Sequence, residues 1–261
     1  VLIPNTEFKI FNMDTNKYVE MITTYPSKKV HTSFFTDADG DLILPDVLPL
    51  GNYRIEEVAA PFGYVLNENY VEVKVDTDTF YEVDPDTYEA IITVEYEDAP
   101  AVGELVIEKK GEVLDAYKGG LFADSEDKEF VYKEGSLAGA KFEIYAAEDI
   151  YTADMQTDEN GNRNKYYAEG DLVATVVTGE DGKAKVSDLT LGKYRVVEVE
   201  APYGYVLNKE EQYVTFVYVD DKTPVIRESL TFANDRQKVD LSVAKLDGET
   251  GLPVSGAEFG L

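Results

Sequence analysis

Three strand-like stretches each place one polar residue where alternation calls for an apolar one. In GELVIEKKGE, Leu105, Ile107 and Lys109 share a face while Glu108 and Lys110 take the other. In GKYRVVEVEAPYGYVLNKE the series is Tyr194, Val196 and Glu198, and in ESLTFANDR it is Leu230, Phe232 and Asn234. Taken singly, each polar residue reads as a strand end reaching solvent, the commoner fate of such groups. Taken together and away from water, an amine, a carboxyl and a carboxamide offer specific chemistry. Desolvation disfavours charged forms, leaving a neutral amine as nucleophile and a carboxyl able to lend and shuttle a proton. Attack of the amine on the carboxamide, with loss of ammonia, would leave a neutral lysine–asparagine isopeptide cross-link.

The elements that must position these groups recur along the chain. The Tyr–Glu–Ala-Pro–Gly-Tyr stretch occurs at 51–67 and again at 192–208, so Glu57 repeats the place of Glu198. A phenylalanine-centred strand recurs as PNTEFKIFN, GAKFEIYAA and GAEFGL, and a lysine-ending strand as GELVIEKKGE and VDLSVAKLDGE. The order lysine strand, phenylalanine strand, glutamate strand, closing strand is complete once, which divides the chain into 1–101, 102–236 and the start of a third unit at 237–261. The first unit begins at its phenylalanine strand and lacks a lysine strand. The chain therefore reads as a window cut from a tandem array.

Between these landmarks the pattern is β throughout. Tyr70–Val75, AIITVEY at 90–96, LVATVV at 172–177 and YVTFVYV at 213–219 are rich in β-branched and aromatic residues. TDADGD at 36–41 and TGEDGK at 178–183 place Asp-Gly at expected hairpin tips. The fold class expected is all-β, as tandem antiparallel β-sandwich domains. Residues 111–137 read as an insertion, a loop or an extra hairpin.

Composition narrows the function. The 261 residues are 44% hydrophobic and 12% aromatic, enough for ordinary cores. A net charge of −28 repels phosphates and anionic lipid, so nucleic acid is not an expected partner. No apolar run approaches the ~20 residues of a membrane span, so membrane insertion is not expected in this segment. There is no cysteine and only one histidine, His31, so no disulfide, zinc set or Ser-His-Asp arrangement can be assembled. Neither cofactor nor metal is expected. An EF-type loop from Asp37 fails at Leu42 and Leu48, and one from Asp158 puts Arg163 in the glycine place. LPVSG at 252–256 resembles a sorting signal but reads as the linker into a phenylalanine strand.

The combined pattern resembles the B-type repeat domains of Gram-positive collagen adhesins and the related prealbumin-like (SpaA-type) domains of pilins. It consists of the lysine strand, G-A-x-F-x-I-Y, T-x-x-D-G-K, Y-x-h-x-E-x-x-A-P-x-G-Y and a closing strand ending in Asn. The resemblance implies an inverse-immunoglobulin sandwich and a structural, non-enzymatic stalk on a secreted, wall-attached bacterial protein. It also implies a self-formed cross-link with Lys109 as nucleophile, Asn234 as electrophile and Glu198 as proton shuttle. Lys110 is the neighbouring alternative, in the wrong phase. In the first unit Glu57 is the equivalent glutamate, and the closing run ends on Asp98, a residue that accepts in some such domains with loss of water. Lys9 is out of phase there, so partners of Asp98, like those of Lys245 in the third unit, are expected outside the chain. Neighbouring repeats of the same polypeptide are the expected partners. The rival reading is a ligand-binding adhesin domain that recognises a host protein or glycan through the loops at 111–137 or 148–170. A spacer within a large secreted enzyme is a third.

Overall fold

The computed structural model describes residues 3–78, 82–83, 90–118, 129–154 and 157–259. Every regular element among them is a strand. The first part contributes β1 (Glu7–Asn12), β2 (Lys17–Tyr18), β3 (Met21–Thr23), β4 (Lys29–His31), β5 (Phe34–Phe35), β6 (Gly51–Ala59), β7 (Tyr70–Val75), β8 (Glu82–Val83) and β9 (Ala90–Ile91). The remainder contributes β10 (Val102–Lys118), β11 (Glu129–Ser136), β12 (Lys141–Ala146), β13 (Ile150–Tyr151), β14 (Lys165–Tyr167), β15 (Leu172–Val177), β16 (Lys183–Thr190), β17 (Gly192–Glu200), β18 (Glu211–Phe216) and β19 (Val225–Asn234).

From Val102 onward two sheets face each other. One runs β15-β12-β17-β18, all antiparallel. The other centres on β10, which pairs antiparallel with β16 and β11 and parallel with β19. Alternation dictates the packing. Leu105, Ile107 and Phe232 from one sheet meet Phe142, Ile144, Tyr194, Val196 and Phe216 from the other, each at most 2% exposed. Burial of each such side chain stabilises by about 1.5–3 kcal/mol. The Gly-x-Tyr that opens each glutamate strand has a common anchor: the Tyr194 hydroxyl donates to Thr190 O at 2.6 Å, and the Tyr53 hydroxyl to Pro49 O at 2.7 Å.

The first part repeats the sheet that carries the glutamate strand, in the order β2-β1-β6-β7 with β5 also on β1. It shields a smaller cluster of Ile10, Met21, Phe34 and Tyr53. No counterpart of the β10-centred sheet forms here among the described residues. Of the expected strand at 90–96 only β9 is present, and 41–50 carries none. The physical reason lies in the pairing further along, where β16 and β19 pair with nothing but β10. Apolar alternation without a partner backbone leaves its N–H and C=O groups unpaired, and the strand does not form. The same holds for VDLSVAKLDGE, which is not a strand, and for Phe259, which is exposed.

Three further expectations are corrected. TGEDGK is not a hairpin tip: it hands the chain from β15 in one sheet to β16 in the other, with Gly182 at φ +72°. TDADGD does turn, with Asp37 accepting from the backbone of Asp39 and Asp41, but no strand follows it. YVTFVYV ends as a strand at Phe216. Residues 111–118 and 129–136 continue β10 and form β11, a hairpin whose tip at 119–128 lies outside the described residues.

Gly103 lets the sheets close, since a Cβ there would lie 2.5 Å from the Phe216 ring. Gly103→Ala should therefore lower unfolding stability by about 1–3 kcal/mol, the usual cost of overpacking a core. Urea denaturation followed by circular dichroism checks this; an unchanged midpoint would refute the close approach.

Candidate functional site

Lys109 is 0% exposed on β10. The parallel register sets Lys109 beside Phe232 and Gly111 beside Asn234, so the amine and the carboxamide lie diagonally on one face. Gly111 is what allows that approach, because a Cβ there would come within 2.8 Å of Asn234 O and 2.7 Å of Leu137. Glu198 arrives from the facing sheet, where it is paired with Phe142. Lys110, in the opposite phase, points to Glu134 at 3.8 Å.

The three groups close a triangle. Lys109 Nζ donates to Asn234 Oδ1 at 2.5 Å and stands 3.1 Å from Glu198 Oε1, and Asn234 Nδ2 donates to that same Oε1 at 2.8 Å. The Phe142 and Phe232 ring centroids flank the amine at 5.6 and 5.7 Å and keep water out. Burial pushes the Lys109 amine below the usual lysine range, and Glu198 partly opposes this. One carboxylate oxygen thus touches both the amine and the carboxamide nitrogen, and can take a proton from the first and deliver it to the second. The carbon that an amine would attack is one bond from the oxygen Lys109 already contacts.

The first part assembles a related cluster. Glu57, 5% exposed, stands beside Asp98, whose carboxyl hydrogen-bonds to it. Burial first, and then Asp98, push Glu57 up to about 8; burial also raises Asp98. Glu57 Oε1 and Asp98 Oδ1 are buried without a donor from any other group among the described residues, so a proton shared between the two carboxyls is what satisfies them. Lys9 instead sits over the Tyr18 ring. Lys245 is exposed and joins neither cluster.

Sequence reasoning missed two residues. Asn208 donates its backbone N–H to Glu198 Oε2 at 2.9 Å and its side-chain amide to Ala233 O at 3.0 Å, tying the glutamate to the closing strand. Asn67 does the same for Glu57 Oε2 and Glu97 O, at 3.2 and 3.0 Å. The signal was in plain view, because both copies of the repeat end in Val-Leu-Asn. Of the decoys, the Asp158 carboxylate is taken up by Asn160 and Asn162 in a tight turn, and Pro253 bridges back to Leu246.

Fold and site together define a class: prealbumin-type β-sandwich domains with an amine, carboxyl and carboxamide sealed between the sheets. The family model described as SpaA, a prealbumin-like fold domain, matches residues 2–88 and 128–228, more than half of the chain, and the chain belongs to that family. The matched segments include Glu57 and Glu198 but not Lys109, Asn234 or Asp98. A trypsin-resistant surface T6 protein of Streptococcus pyogenes serotype M6 is 28% identical over 123 residues, covering 46% of this chain and 21% of that protein. The match thus spans about a fifth of that relative's length. Among solved structures, the Bacillus anthracis TIE protein is similar at a TM-score of 0.48 and 23% identity, covering 90% of this chain and 31% of that one. The minor pilin GBS52 of Streptococcus agalactiae is similar at 0.33 and 16%, covering 94% and 88%.

The Glu57–Asp98 pair has a pH signature. A Glu57 carboxyl that binds its proton more tightly when folded contributes stability in full below its ordinary value of 4.5, and loses it as pH rises through about 8. The thermal midpoint should therefore fall between about pH 5 and about pH 8.5, and Glu57→Gln with Asp98→Asn should flatten that fall. Calorimetry at both pH values checks it, and parallel profiles in the two proteins would contradict it.

Proposed function

We propose that this chain is a segment of a load-bearing stalk on a Gram-positive cell surface, of the adhesin or pilus type. Residues 102–236 form one complete unit, 1–101 precede it and a third begins at 237. The middle unit is locked by an isopeptide bond that it makes itself. Lys109 Nζ attacks Asn234 Cγ, the new C–N bond forms, the bond to Nδ2 breaks, and ammonia leaves with the proton that Glu198 relays. The reaction happens once per molecule, so the chain turns over no substrate. Partners in this reading are neighbouring units of the same polypeptide.

The observation that carries this reading is the closed triangle of Lys109, Glu198 and Asn234 in a dry core. Its position supports a mechanical role. The amine lies on the first strand of the unit and the carboxamide on the last, so a bond between them carries tension between the termini without loading the hydrogen-bonded sheets. By analogy with disulfides, closing so long a loop constrains the unfolded chain by about 4–5 kcal/mol. The charge of −28 suits an extended, soluble segment.

Intact-mass measurement on the denatured chain tests the bond. The expected mass is one ammonia below that of the sequence, and the deficit disappears in Lys109→Ala and in Glu198→Ala. Both variants should also melt lower by about 10–20 °C, from the lost cross-link and the buried partner left unpaired. A full mass in the unsubstituted chain would refute the cross-link.

A further inference from the structure

We propose that the A-P-F-G-Y turn at 60–64 is a docking surface for the unit that follows it in the chain, and that residues 1–101 and 102–236 therefore move as one rigid body. Nothing in this joint depends on the cross-link proposed above.

The turn first fixes the way out of its own unit. Val65 N donates to Ala99 O and Ala101 N to Gly63 O, both at 2.9 Å, around an antiparallel bridge between Tyr64 and Pro100. The same clamp recurs at the second copy of the turn. There Val206 N donates to Asp235 O and Gln237 N to Gly204 O, both at 2.9 Å, around a bridge between Tyr205 and Arg236. Repetition of A-P-x-G-Y thus has a reason separate from the glutamate that precedes it. The linker held in this way keeps little freedom. Pro100 has its φ fixed by its ring, Ala101 is buried, and Val102 N already donates to Pro224 O at 3.0 Å. Ala101 and Val102 are consecutive, so no unbonded residue between them can absorb a hinge rotation.

The turn then meets the following unit directly. The connection from β18 to β19, residues 217–224, lays the Tyr218 ring against Phe62 with centroids 4.8 Å apart. The Tyr218 hydroxyl donates to Tyr64 O at 3.1 Å, and Leu66 N donates to Asp221 O at 2.7 Å. That connection is itself stiffened, because Asp220 Oδ1 accepts from Lys222 N at 3.0 Å and from the Thr223 hydroxyl at 2.8 Å. A second element of the following unit also touches the turn: a Cβ on Gly63, at φ +92°, would lie 3.1 Å from the Ala153 Cβ. Part of the loop at 148–170 therefore faces a neighbouring unit. Domains joined by a free linker move independently by default. Here one connection grips both the linker at Val102 and the turn at Tyr64 and Leu66, so bending the joint requires breaking all three bonds together.

The chain has no cysteine, so spin labels attach only where one is introduced. Lys17→Cys with Lys209→Cys, both exposed, puts one label in each unit, and Glu180→Cys with Lys209→Cys puts both in the second. Double electron–electron resonance should give the first pair a distance distribution as narrow as the second pair's. Phe62→Ala and Tyr218→Ala should each broaden the first distribution about twofold or more. The second pair should stay narrow in both variants, which shows that 102–236 remains folded. A Gly-Ser pair inserted between Ala99 and Pro100 sets the width of a free linker. An unsubstituted chain as broad as that insertion would overturn the rigid joint. A distribution that stays narrow in the Phe62→Ala, Tyr218→Ala double variant would overturn the turn as the docking surface.

Discussion

A lysine amine with no access to water has to be compensated where it stands, and the sandwich between Val102 and Asn234 is arranged around doing so. Lys109 is held by a carboxylate from the opposite sheet and a carboxamide from the adjacent parallel strand, with two aromatic rings closing the sides. Removing either polar partner would leave an uncompensated buried group, a situation that costs several kcal/mol. The constraint reaches outward from there. Gly111 has to lack a side chain so that the strands can approach, Asn208 has to fix the far oxygen of Glu198, and β19 has to run parallel to β10 so that its last residue reaches the amine.

The two parts of the chain show what that central strand contributes. Both build the sheet that carries the glutamate, with the same tyrosine anchor and the same asparagine tie. Only the later part has β10, and only there do the turn-to-glutamate stretch and the closing run become the strands β16 and β19. In the earlier part the corresponding backbone is irregular, and the polar cluster is reduced to two carboxyls facing each other. A single strand therefore accounts both for the second sheet and for the counter-charge of the site.

The segments matched to the SpaA prealbumin-like family contain the two glutamates, while the lysine, the asparagine and the whole of β10 lie outside them. Those two positions rest on strand phase and on the distances in the folded chain. The insertion at 111–137 illustrates a related point: read as a loop or hairpin, its described residues pair as a hairpin that prolongs the lysine strand itself, so the strand bearing Lys109 is also the longest among the described residues.

Period-two alternation was enough to mark the all-β class, to set Lys109, Glu198 and Asn234 on inward faces, and to turn Lys110 and Lys9 away, because the direction of a side chain in a strand is a local property of the backbone. Repetition likewise exposed Glu57 as the twin of Glu198. What alternation could not say was which strand-like stretches would find a partner. AIITVEY and VDLSVAKLDGE look as good on paper as ESLTFANDR, yet only the last lies beside β10. Pairing joins residues more than a hundred positions apart, so it was settled by the tertiary fold alone. So were the passage of TGEDGK between sheets, the tie made by Asn208 and Asn67, and the proton that Glu57 and Asp98 must share. Each of these depends on which backbone stands alongside, and that information is not carried by any short stretch of residues.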